Sequence, residues 1–244
     1  MTIHFAHMGS SKERPENTLP SFQRALEHGA KAMELDVQLT KDGHLVICHD
    51  QKINRVAAAA GAAGFIKDFT LEEIEQIDVG STFSEEYKGV TLTTLDAVLG
   101  ICPPDVLLNI EIKNIPFFYE GIEEKVLDRL AAYNHTENVI ISSFDHHSLK
   151  RIKALAPDTR VGLLFLDQLI EPWHYAKNCG IDVYSLHPRY VFIDENYVKK
   201  CHEAGFKVYP FTVDDIDMVE QFMAYGVDGV FSNNPEIFGL ECCT

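Results

Sequence analysis

Residues 32–39 of this 244-residue chain, AMELDVQL, decide how the fold is interpreted. Glu34 and Asp36 stand two residues apart in this largely apolar run, and Glu111 and Lys113 have the same spacing in a second apolar run. On a β-strand, side chains two residues apart point to the same face. The spacing therefore predicts two strands that each direct charged side chains to one face of a sheet.

Apolar strand-like runs alternate with segments of helical periodicity on both sides of these residues. Eight strands are predicted, at Ile3–Met8, Ala32–Leu39, Val106–Lys113, Val139–Phe144, Arg160–Leu166, Ile181–Leu186, Lys207–Val213 and Gly229–Ser232. Helices are predicted from Thr18 to Gly29 and at His147–Leu155, Glu195–Ala204 and Asp215–Tyr225. Because strand-helix units form parallel sheets with right-handed connections, eight of them indicate an α/β protein with a (β/α)₈ TIM barrel. The alternative, an open doubly wound sheet, predicts a glycine-rich phosphate loop after the first strand, and the sequence has none there.

Residues 51–94 interrupt the alternation. They follow an extended piece at His44–His49 and contain the tract Ala57–Gly64 and a short helical stretch, Leu71–Ile77. We expect residues 1–244 to form one TIM-barrel domain, with residues 51–94 as a small subdomain inserted after the second strand. Such an insertion overhangs the face where barrel enzymes carry their active sites. For the Ala/Gly tract itself, a mobile surface loop is the alternative.

Composition limits the classes of partner. The net charge of −16 argues against nucleic acid as a ligand, since phosphate backbones reward basic surfaces. The sequence shows neither an apolar run long enough to span a membrane nor a secretory signal, so we expect a cytoplasmic protein without stable membrane insertion. The six cysteines lack zinc-like spacing and are interpreted as reduced thiols. We expect a small-molecule substrate, and assembly into a homo-oligomer stays open.

Glu34, Asp36 and Glu111 are predicted to meet at strand ends that face the barrel mouth. Three carboxylates held together repel one another unless a cation neutralises them. An all-oxygen ligand set favours a hard ion, Mg²⁺ or Ca²⁺. The alternative is that each carboxylate pairs with a basic residue, but Lys113 can neutralise only one of the three. The sequence therefore predicts a divalent metal site.

His7 and His49 each end an extended segment on the same side of the sheet. Histidine suits general acid and general base catalysis because its pKa lies near neutrality. The two residues are therefore the candidate acid-base pair. Glu16 and Asn17 lie just before the first helix, where helix capping or turn formation is the alternative to a contact with substrate or metal.

The ordered motifs resemble those of the glycerophosphodiester phosphodiesterase family across nearly the whole chain. Residues 7–50 are similar to the family signature H-R-G…P-E-N-T…E-x-D-V…T-x-D-G…H-D. Further similarity lies in FIKDFTLEEIEQIDVGSTF (65–83), TLTTLDAVL (91–99), LLNIEIK (107–113), GFKVYPFTVDD (205–215) and GVDGVFSNNP (226–235). This resemblance implies a metal-dependent TIM barrel that hydrolyses glycerophosphodiesters to an alcohol and glycerol 3-phosphate.

The resemblance also implies a role for individual residues. By position, it implies Mg²⁺ or Ca²⁺ bound by Glu34, Asp36 and Glu111, acid-base catalysis by His7 and His49, and substrate contacts from Glu16, Asn17, Lys113 and Phe211. The ion would polarise the phosphate oxygens. The attacking group, a glycerol hydroxyl of the substrate or a water molecule, stays open.

Several residues depart from the family pattern. Met8 stands where the family has an arginine, and methionine cannot grip a phosphate bidentately. Lys12 and Arg14 are candidates to replace that contact. Phe211 stands in place of a tryptophan, Ser232-Asn233 in place of threonine-aspartate, and Val56 with the alanine run in place of a threonine-rich stretch.

Two alternative functions follow from the same residues. The substitution at Met8 is compatible with a barrel of altered specificity, or with one that binds a glycerol-phosphate-like ligand without turnover. A metal-dependent sugar-phosphate isomerase or lyase would use the carboxylates and a base but no acid for a leaving group. A strict requirement for both His7 and His49 would argue against the isomerase or lyase.

Overall fold

The computed structural model describes residues 2–234 and residue 237, so Cys242 and Cys243 lie outside the described residues. In this part of the chain the β-strands are β1 (Ile3–His7), β2 (Ala32–Leu39), β3 (Leu45–Ile47), β4 (Leu107–Ile112), β5 (Val139–Ser143), β6 (Arg160–Phe165), β7 (Ser185–Pro188), β8 (Lys207–Val208) and β9 (Gly229–Ser232). The α-helices are α1 (Leu19–Glu27), α2 (Leu71–Ile74), α3 (Gly80–Phe83), α4 (Leu95–Ile101), α5 (Ile122–Ala132), α6 (His146–Leu155), α7 (Pro172–Asn178), α8 (Glu195–Glu203) and α9 (Ile216–Tyr225). None of the helices described here is long and apolar enough to cross a bilayer.

Eight parallel strands form the barrel in the order β8-β7-β6-β5-β4-β2-β1-β9. Backbone hydrogen bonds close it between the β8 segment and β9, because Asp228 N donates to Val208 O (3.1 Å) and Phe231 N donates to Pro210 O (3.1 Å). The predicted (β/α)₈ TIM barrel is confirmed. The ninth strand, β3, pairs antiparallel with β2 outside the barrel order.

Side chains alternate along β2 between the two sides of the barrel wall. Met33, Leu35 and Val37 pack in the large apolar cluster that also contains residues of the surrounding helices. The alternate positions, including Glu34 and Asp36, therefore point to the barrel interior. The N-terminal part of that interior is apolar, with Phe5, Ala32, Ile140, Tyr209 and Phe231 in one cluster.

Two strands differ from their predicted positions. The strand predicted at Ile181–Leu186 lies at Ser185–Pro188, because Ser185 and His187 are buried polar residues that hydrogen-bond each other (2.8 Å) and interrupt the apolar pattern. The strand predicted at Lys207–Val213 is regular only over Lys207–Val208. Pro210 has no N–H for the ladder, and an isolated bridge follows it.

Residues 51–94 lie between β3 and α4, and that they form an inserted subdomain stays a prediction. They contribute most of a separate buried apolar cluster, which includes Ile53, Ala57, Ile66 and Ile74, so part of the Ala/Gly tract packs in a core. The predicted helix Leu71–Ile77 is shorter, at Leu71–Ile74, and begins with a capping box between Thr70 and Glu73. That the domain extends to residue 244 stays a prediction.

Candidate active site

The strand register places the acidic side chains next to one another at the barrel mouth. His7 on β1 is opposite Glu34 on β2, and Asp36 on β2 is opposite Glu111 on β4. Carboxylate oxygens of Glu34, Asp36 and Glu111 lie within 4.8 Å of one another, and all three residues are buried. The three predicted metal ligands are therefore brought together.

A cavity of about 370 Å³ opens at this end of the barrel. The predicted site residues that line it are His7, Glu34, His49, Glu111, Lys113 and Phe211. Asn17 and Asp36 are buried behind this lining and contact each other, while Glu16 lines a different, smaller cavity. The arrangement is a charged pocket at the carboxyl ends of parallel strands, where TIM-barrel enzymes carry their active sites.

The carboxylates differ in their electrostatic environment. Burial, together with repulsion from Asp36 and Glu111, raises the pKa of Glu34 well above its ordinary value, and burial also raises the pKa of Glu111. Burial works in the same direction on Asp36, but Lys113, the two histidines and the hydrogen bond from Asn17 together outweigh it and lower the pKa of Asp36. With all three carboxylates ionised, the cluster would carry more negative charge than its protein partners neutralise, which is why the pKa values of Glu34 and Glu111 are raised by their neighbours as well as by burial.

Lys113 is the one lysine or arginine among the cavity-lining residues that the structure describes. Its Nζ lies 2.7 Å from Glu111 Oε1 and 3.3 Å from Asp36 Oδ1. Burial lowers the pKa of Lys113, but the surrounding carboxylates outweigh burial and raise it, so the side chain stays charged. One ammonium against three carboxylates leaves an uncompensated negative charge in a buried site.

Two buried oxygens in the cluster accept no hydrogen bond from the described residues. They are Asp36 Oδ1, which has only the Lys113 ammonium at 3.3 Å, and Asn17 Oδ1; Asn17 Nδ2 donates to Asp36 Oδ2 at 2.9 Å. Buried acceptors without a hydrogen bond are costly, and a hard cation is a group that oxygen atoms alone can satisfy. The donor set of Glu34, Asp36 and Glu111 thus fits a divalent ion such as Mg²⁺ or Ca²⁺.

A hydrogen bond at Nδ1 orients the imidazole ring of His7. Its Nδ1 lies 2.8 Å from Asn233 Oδ1, while Asn233 Nδ2 donates to Asp214 Oδ2 at 2.8 Å. Because a carboxylate only accepts, Asp214 fixes the amide so that its oxygen faces His7, and Nδ1 must carry the proton. In neutral His7, Nε2 then presents a lone pair, 3.8 Å from Glu34 Oε2. Burial lowers the pKa of His7, which favours this neutral form.

His49 has a different partner and the opposite electrostatic tendency. Its Nδ1 lies 2.7 Å from Asp50 Oδ1, and this hydrogen bond raises the pKa of His49. Asp50 Oδ2 in turn accepts from Arg55 Nε at 2.7 Å. Arg55 also donates both Nη groups to the carboxylate of Glu16, at 2.6 and 2.7 Å. Glu16 is thereby engaged by Arg55, and His49 favours its protonated form.

The sequence analysis missed Arg55 and Asp214. Arg55 lies in the insertion, five residues after Asp50, and no periodicity marks it as a partner of two carboxylates. Asp214 is separated from Asn233 by 19 residues, and only barrel closure brings them together. The departure at Asn233 from the family pattern was the one available signal, because it changed the residue type beside the last strand.

The candidate replacements for the family arginine lie elsewhere. The guanidinium of Arg14 lies over the ring of Tyr87, 5.3 Å from its centroid, and Arg14 Nη1 donates to Glu13 O at 2.9 Å. Lys12 is exposed, and neither residue lines the cavity. Met8 contributes its backbone N–H, which donates to Glu34 Oε2 at 3.1 Å. Among the described lining residues, the cavity itself offers Lys113 as its lysine or arginine.

The fold and the site define a TIM-barrel protein with a buried acidic cluster and two histidines at the catalytic face. Comparison with known proteins identifies the family. The model of the glycerophosphoryl diester phosphodiesterase family matches residues 7–237, and the chain belongs to this family.

Relatives resemble the protein over nearly their whole length. The chain is 46% identical over 236 residues to a glycerophosphodiester phosphodiesterase of Caldanaerobacter subterraneus subsp. tengcongensis, covering 96% of this chain and 95% of that protein. It is 36% identical over 238 residues to a glycerophosphodiester phosphodiesterase of Bacillus altitudinis, with 97% and 96% covered.

A similar structure has been solved with a ligand. It is an Oleispira antarctica phosphodiesterase in complex with its product sn-glycerol 3-phosphate, with a TM-score of 0.85 and 31% identity. The match covers 98% of this chain and 95% of that one. The recognised family is therefore confirmed by sequence, and the fold by structure.

Proposed function

We propose that the protein hydrolyses glycerophosphodiesters to an alcohol and glycerol 3-phosphate, using one divalent ion held by Glu34, Asp36 and Glu111. The observation that carries this proposal is the cluster of three buried carboxylates, with ligand oxygens within 4.8 Å, in a cavity lined by two histidines. Membership in the family supports the reaction, and the glycerol 3-phosphate bound to the Oleispira antarctica relative supports the product.

The proposed ion, Mg²⁺ or Ca²⁺, supplies Lewis acidity toward the phosphate oxygens and the attacking hydroxyl when it is bound. The chain supplies its three carboxylates, which are prearranged by the pairing of β1, β2 and β4. Asn17 holds Asp36 through a 2.9 Å hydrogen bond and so fixes one ligand. We assign Lys113 to the phosphate, because its charge is fixed by Glu111 and Asp36 at the edge of the cavity.

His7 is assigned as the general base and His49 as the general acid. His7 carries its proton on Nδ1 and so receives at Nε2 the proton of the attacking hydroxyl, from a glycerol hydroxyl of the substrate or from water. A new P–O bond forms as the P–O bond to the leaving alcohol breaks. His49, held in its protonated form by Asp50, donates a proton to the leaving oxygen. When water attacks, this step gives glycerol 3-phosphate directly. When a glycerol hydroxyl attacks, it gives a cyclic phosphate, which water opens to glycerol 3-phosphate in a second step, as His49 takes the proton of that water and His7 returns its proton to the glycerol oxygen.

Phe211 and Glu16 are proposed to support substrate binding without taking part in proton transfer. Phe211 lines the cavity with its ring edge-to-face against Phe144, at a centroid distance of 6.0 Å, and is proposed as an apolar wall for the substrate. Glu16 contributes through Arg55, which it orients toward Asp50. A cytoplasmic location and assembly into a homo-oligomer stay predictions.

Product analysis tests the proposed reaction. Glycerophosphocholine incubated with the protein and Mg²⁺ or Ca²⁺ is expected to yield glycerol 3-phosphate and choline, followed by ³¹P NMR. His7→Ala and His49→Ala are each expected to lower kcat by about 10²- to 10⁴-fold, the range that general acid-base groups contribute. His174→Ala, at a histidine outside the cavity lining, is the matched control. Activity that survives both cavity substitutions would contradict the assignment.

A further inference from the structure

We infer that the site prefers glycerophosphodiesters whose alcohol carries an alkyl chain, and that the chain binds between Ile115 and Leu166. The inference rests on the proposed function and deepens it by naming the class of the leaving alcohol. It is carried by the apolar side chains that line the cavity, of which only Phe211 has a role in the proposed function.

The cavity has two unlike sides. The charged side is formed by Glu34, Glu111 and Lys113 with the two histidines. The other side includes five side chains without any polar group, namely Ile115, Phe144, Leu164, Leu166 and Phe211. A diester whose phosphate lies at the charged side therefore has an apolar surface within the same cavity for one of its two arms.

The strand order places Leu164, Leu166 and Phe211 away from β1 and β4. In the closed barrel, β6 lies across from β1, and β8 lies across from β4. Leu164 is in β6 and Leu166 directly follows it, whereas Phe211 lies just beyond β8. Glu34 and Asp36 come from β2 and Glu111 from β4. Ile115 lies in the loop after β4 and Phe144 directly follows β5, so the apolar side chains extend from that loop to the segment after β8. A substrate held at the metal site thus points one arm toward β6.

Two aliphatic side chains stand at the mouth with much of their surface exposed. Ile115, in the loop after β4, is 50% exposed, and Leu166, in the loop after β6, is 58% exposed. A single exposed apolar side chain is ordinary in soluble proteins. These two come from separate loops and line the same cavity, which is the pattern of a binding site whose apolar part is desolvated by its ligand.

Asp145 and Asn114, two polar residues on this side, are engaged by hydrogen bonds within the protein. The carboxylate of Asp145 accepts from Arg151 Nη2 at 3.1 Å and from Ser148 Oγ at 2.9 Å. Asn114 donates to Ser148 Oγ at 2.9 Å and accepts from the backbone N–H of Tyr119. No free carboxylate among the described lining residues on this side is available for a cationic head group.

The aromatic surface also disfavours a cation. Phe144 presents a ring to the cavity, but Lys113 Nζ already lies 5.9 Å from its centroid. A quaternary ammonium placed on this ring would lie near a fixed positive charge, which opposes the attraction that a ring face offers. An uncharged alkyl chain gains from the apolar contacts without this repulsion, so an alkyl alcohol fits better than choline or ethanolamine.

A chain-length series tests the inference. Glycerophospho-n-alkanols from methyl to hexyl, kept below their critical micelle concentrations, are hydrolysed by the metal-loaded protein and glycerol 3-phosphate is measured. We expect kcat/KM to rise by about two- to fourfold per methylene, the upper value corresponding to full burial of each group. Glycerophosphocholine is expected to be a poorer substrate than the hexyl diester.

Substitutions locate the chain. Leu166→Asn and Ile115→Asn are each expected to flatten the chain-length dependence. Leu169→Asn is the matched control, because Leu169 lies in the same loop with 42% exposure but does not line this cavity, and it is expected to keep the wild-type dependence.

The outcomes separate this inference from the proposed function. Hydrolysis at rates independent of chain length would overturn the inference and leave the phosphodiesterase standing. Absence of hydrolysis for every diester would contradict the proposed function instead. In that case the affinities of n-alkyl phosphates, measured by titration calorimetry, still decide the inference. Affinity that rises with chain length supports it, and affinity that does not rise overturns it.

Discussion

The Nδ1 atom of His7 lies 2.8 Å from the side-chain oxygen of Asn233, so the first barrel strand and the segment after the last one meet at the candidate base. Asn233 is itself held at two points by Asp214, through its backbone N–H (2.7 Å) and its side-chain amide (2.8 Å). A neutral amide orients the imidazole without adding negative charge beside a cluster that already holds three carboxylates. Asp214 thus acts on His7 through Asn233.

Asp214→Asn tests this relationship. The variant removes the charge that fixes the amide of Asn233, so Nδ1 of His7 loses its defined acceptor. We expect kcat to fall roughly tenfold or more with little change in KM, a part of the 10²- to 10⁴-fold contribution of a general base. ¹⁵N NMR of the imidazoles is expected to show the Nδ1–H tautomer for wild-type His7 and a mixture in the variant.

The neighbouring residue provides the control for that experiment. Asp215 caps α9 by accepting from Met218 N at 3.0 Å and does not contact Asn233. Asp215→Asn keeps a capping side chain and is expected to leave both kcat and the His7 tautomer unchanged. An Nε2–H tautomer in wild-type His7 would show that the proposed orientation is wrong.

The pH dependence of kcat tests the pairing of His49 with Asp50. The hydrogen bond to Asp50 stabilises the protonated imidazole and raises its pKa, so the acid stays protonated to higher pH. Asp50→Asn removes that stabilisation. The alkaline limb of the profile is then expected to move to lower pH, because His49 loses its proton earlier. An unchanged alkaline limb would mean that another group is the acid.

Arg55 is expected to matter through its geometry as well as its charge. It donates from Nε to Asp50 and from both Nη groups to Glu16, and a lysine cannot reproduce this fork. Arg55→Lys is therefore expected to lower kcat and to shift the alkaline limb. Arg24→Lys, at an arginine that pairs with Glu13 and Glu27, is the control and should retain wild-type activity.

The stability of the metal-free protein is expected to depend on pH through Glu34. Burial raises the pKa of Glu34 in the metal-free protein, so the folded state holds a proton more tightly than the unfolded chain does. The free energy of unfolding of the metal-free protein should therefore decrease as pH rises through the raised pKa of Glu34.

Metal binding is expected to stabilise the fold. An ion at about 100 times its Kd increases the free energy of unfolding by about 2.7 kcal/mol, which corresponds to roughly 5–10 °C in Tm. Differential scanning fluorimetry measures the shift.

Variants show where the stabilising ion binds. Asp36→Asn is expected to abolish most of the metal-induced increase in Tm, since Asp36 is a proposed ligand in the centre of the cluster. Glu72→Gln, at an exposed residue within the segment 51–94, is expected to retain the full increase. Equal increases in both variants would place the ion elsewhere.

The acidic cluster could be predicted from local sequence because its spacing follows strand periodicity. Glu34 and Asp36 alternate with apolar residues, and the same period places Glu111 on the neighbouring strand. The barrel follows from the repeated strand-helix units. The sixth predicted strand, β7 in the structure, was displaced because Ser185 and His187 make the interior polar there, so a pattern of apolar residues could not mark it.

The partners of the two histidines could not be predicted in the same way. The contact between His7 and Asn233 joins residues 226 positions apart and exists only once the barrel closes. Arg55 lies in an inserted segment whose sequence has no regular period. Long side chains that bridge separate elements depend on tertiary geometry, which local spacing does not encode.

The most direct test of the central claim is glycerol 3-phosphate release from glycerophosphocholine by metal-stripped protein, with Mg²⁺ or Ca²⁺ added back. We expect no release without metal, restored release with at least one of the two ions, and loss of that release in Glu34→Gln but not in Glu72→Gln. Release by the stripped protein that is unaffected by either ion or by Glu34→Gln would contradict the claim that these carboxylates hold a catalytic ion.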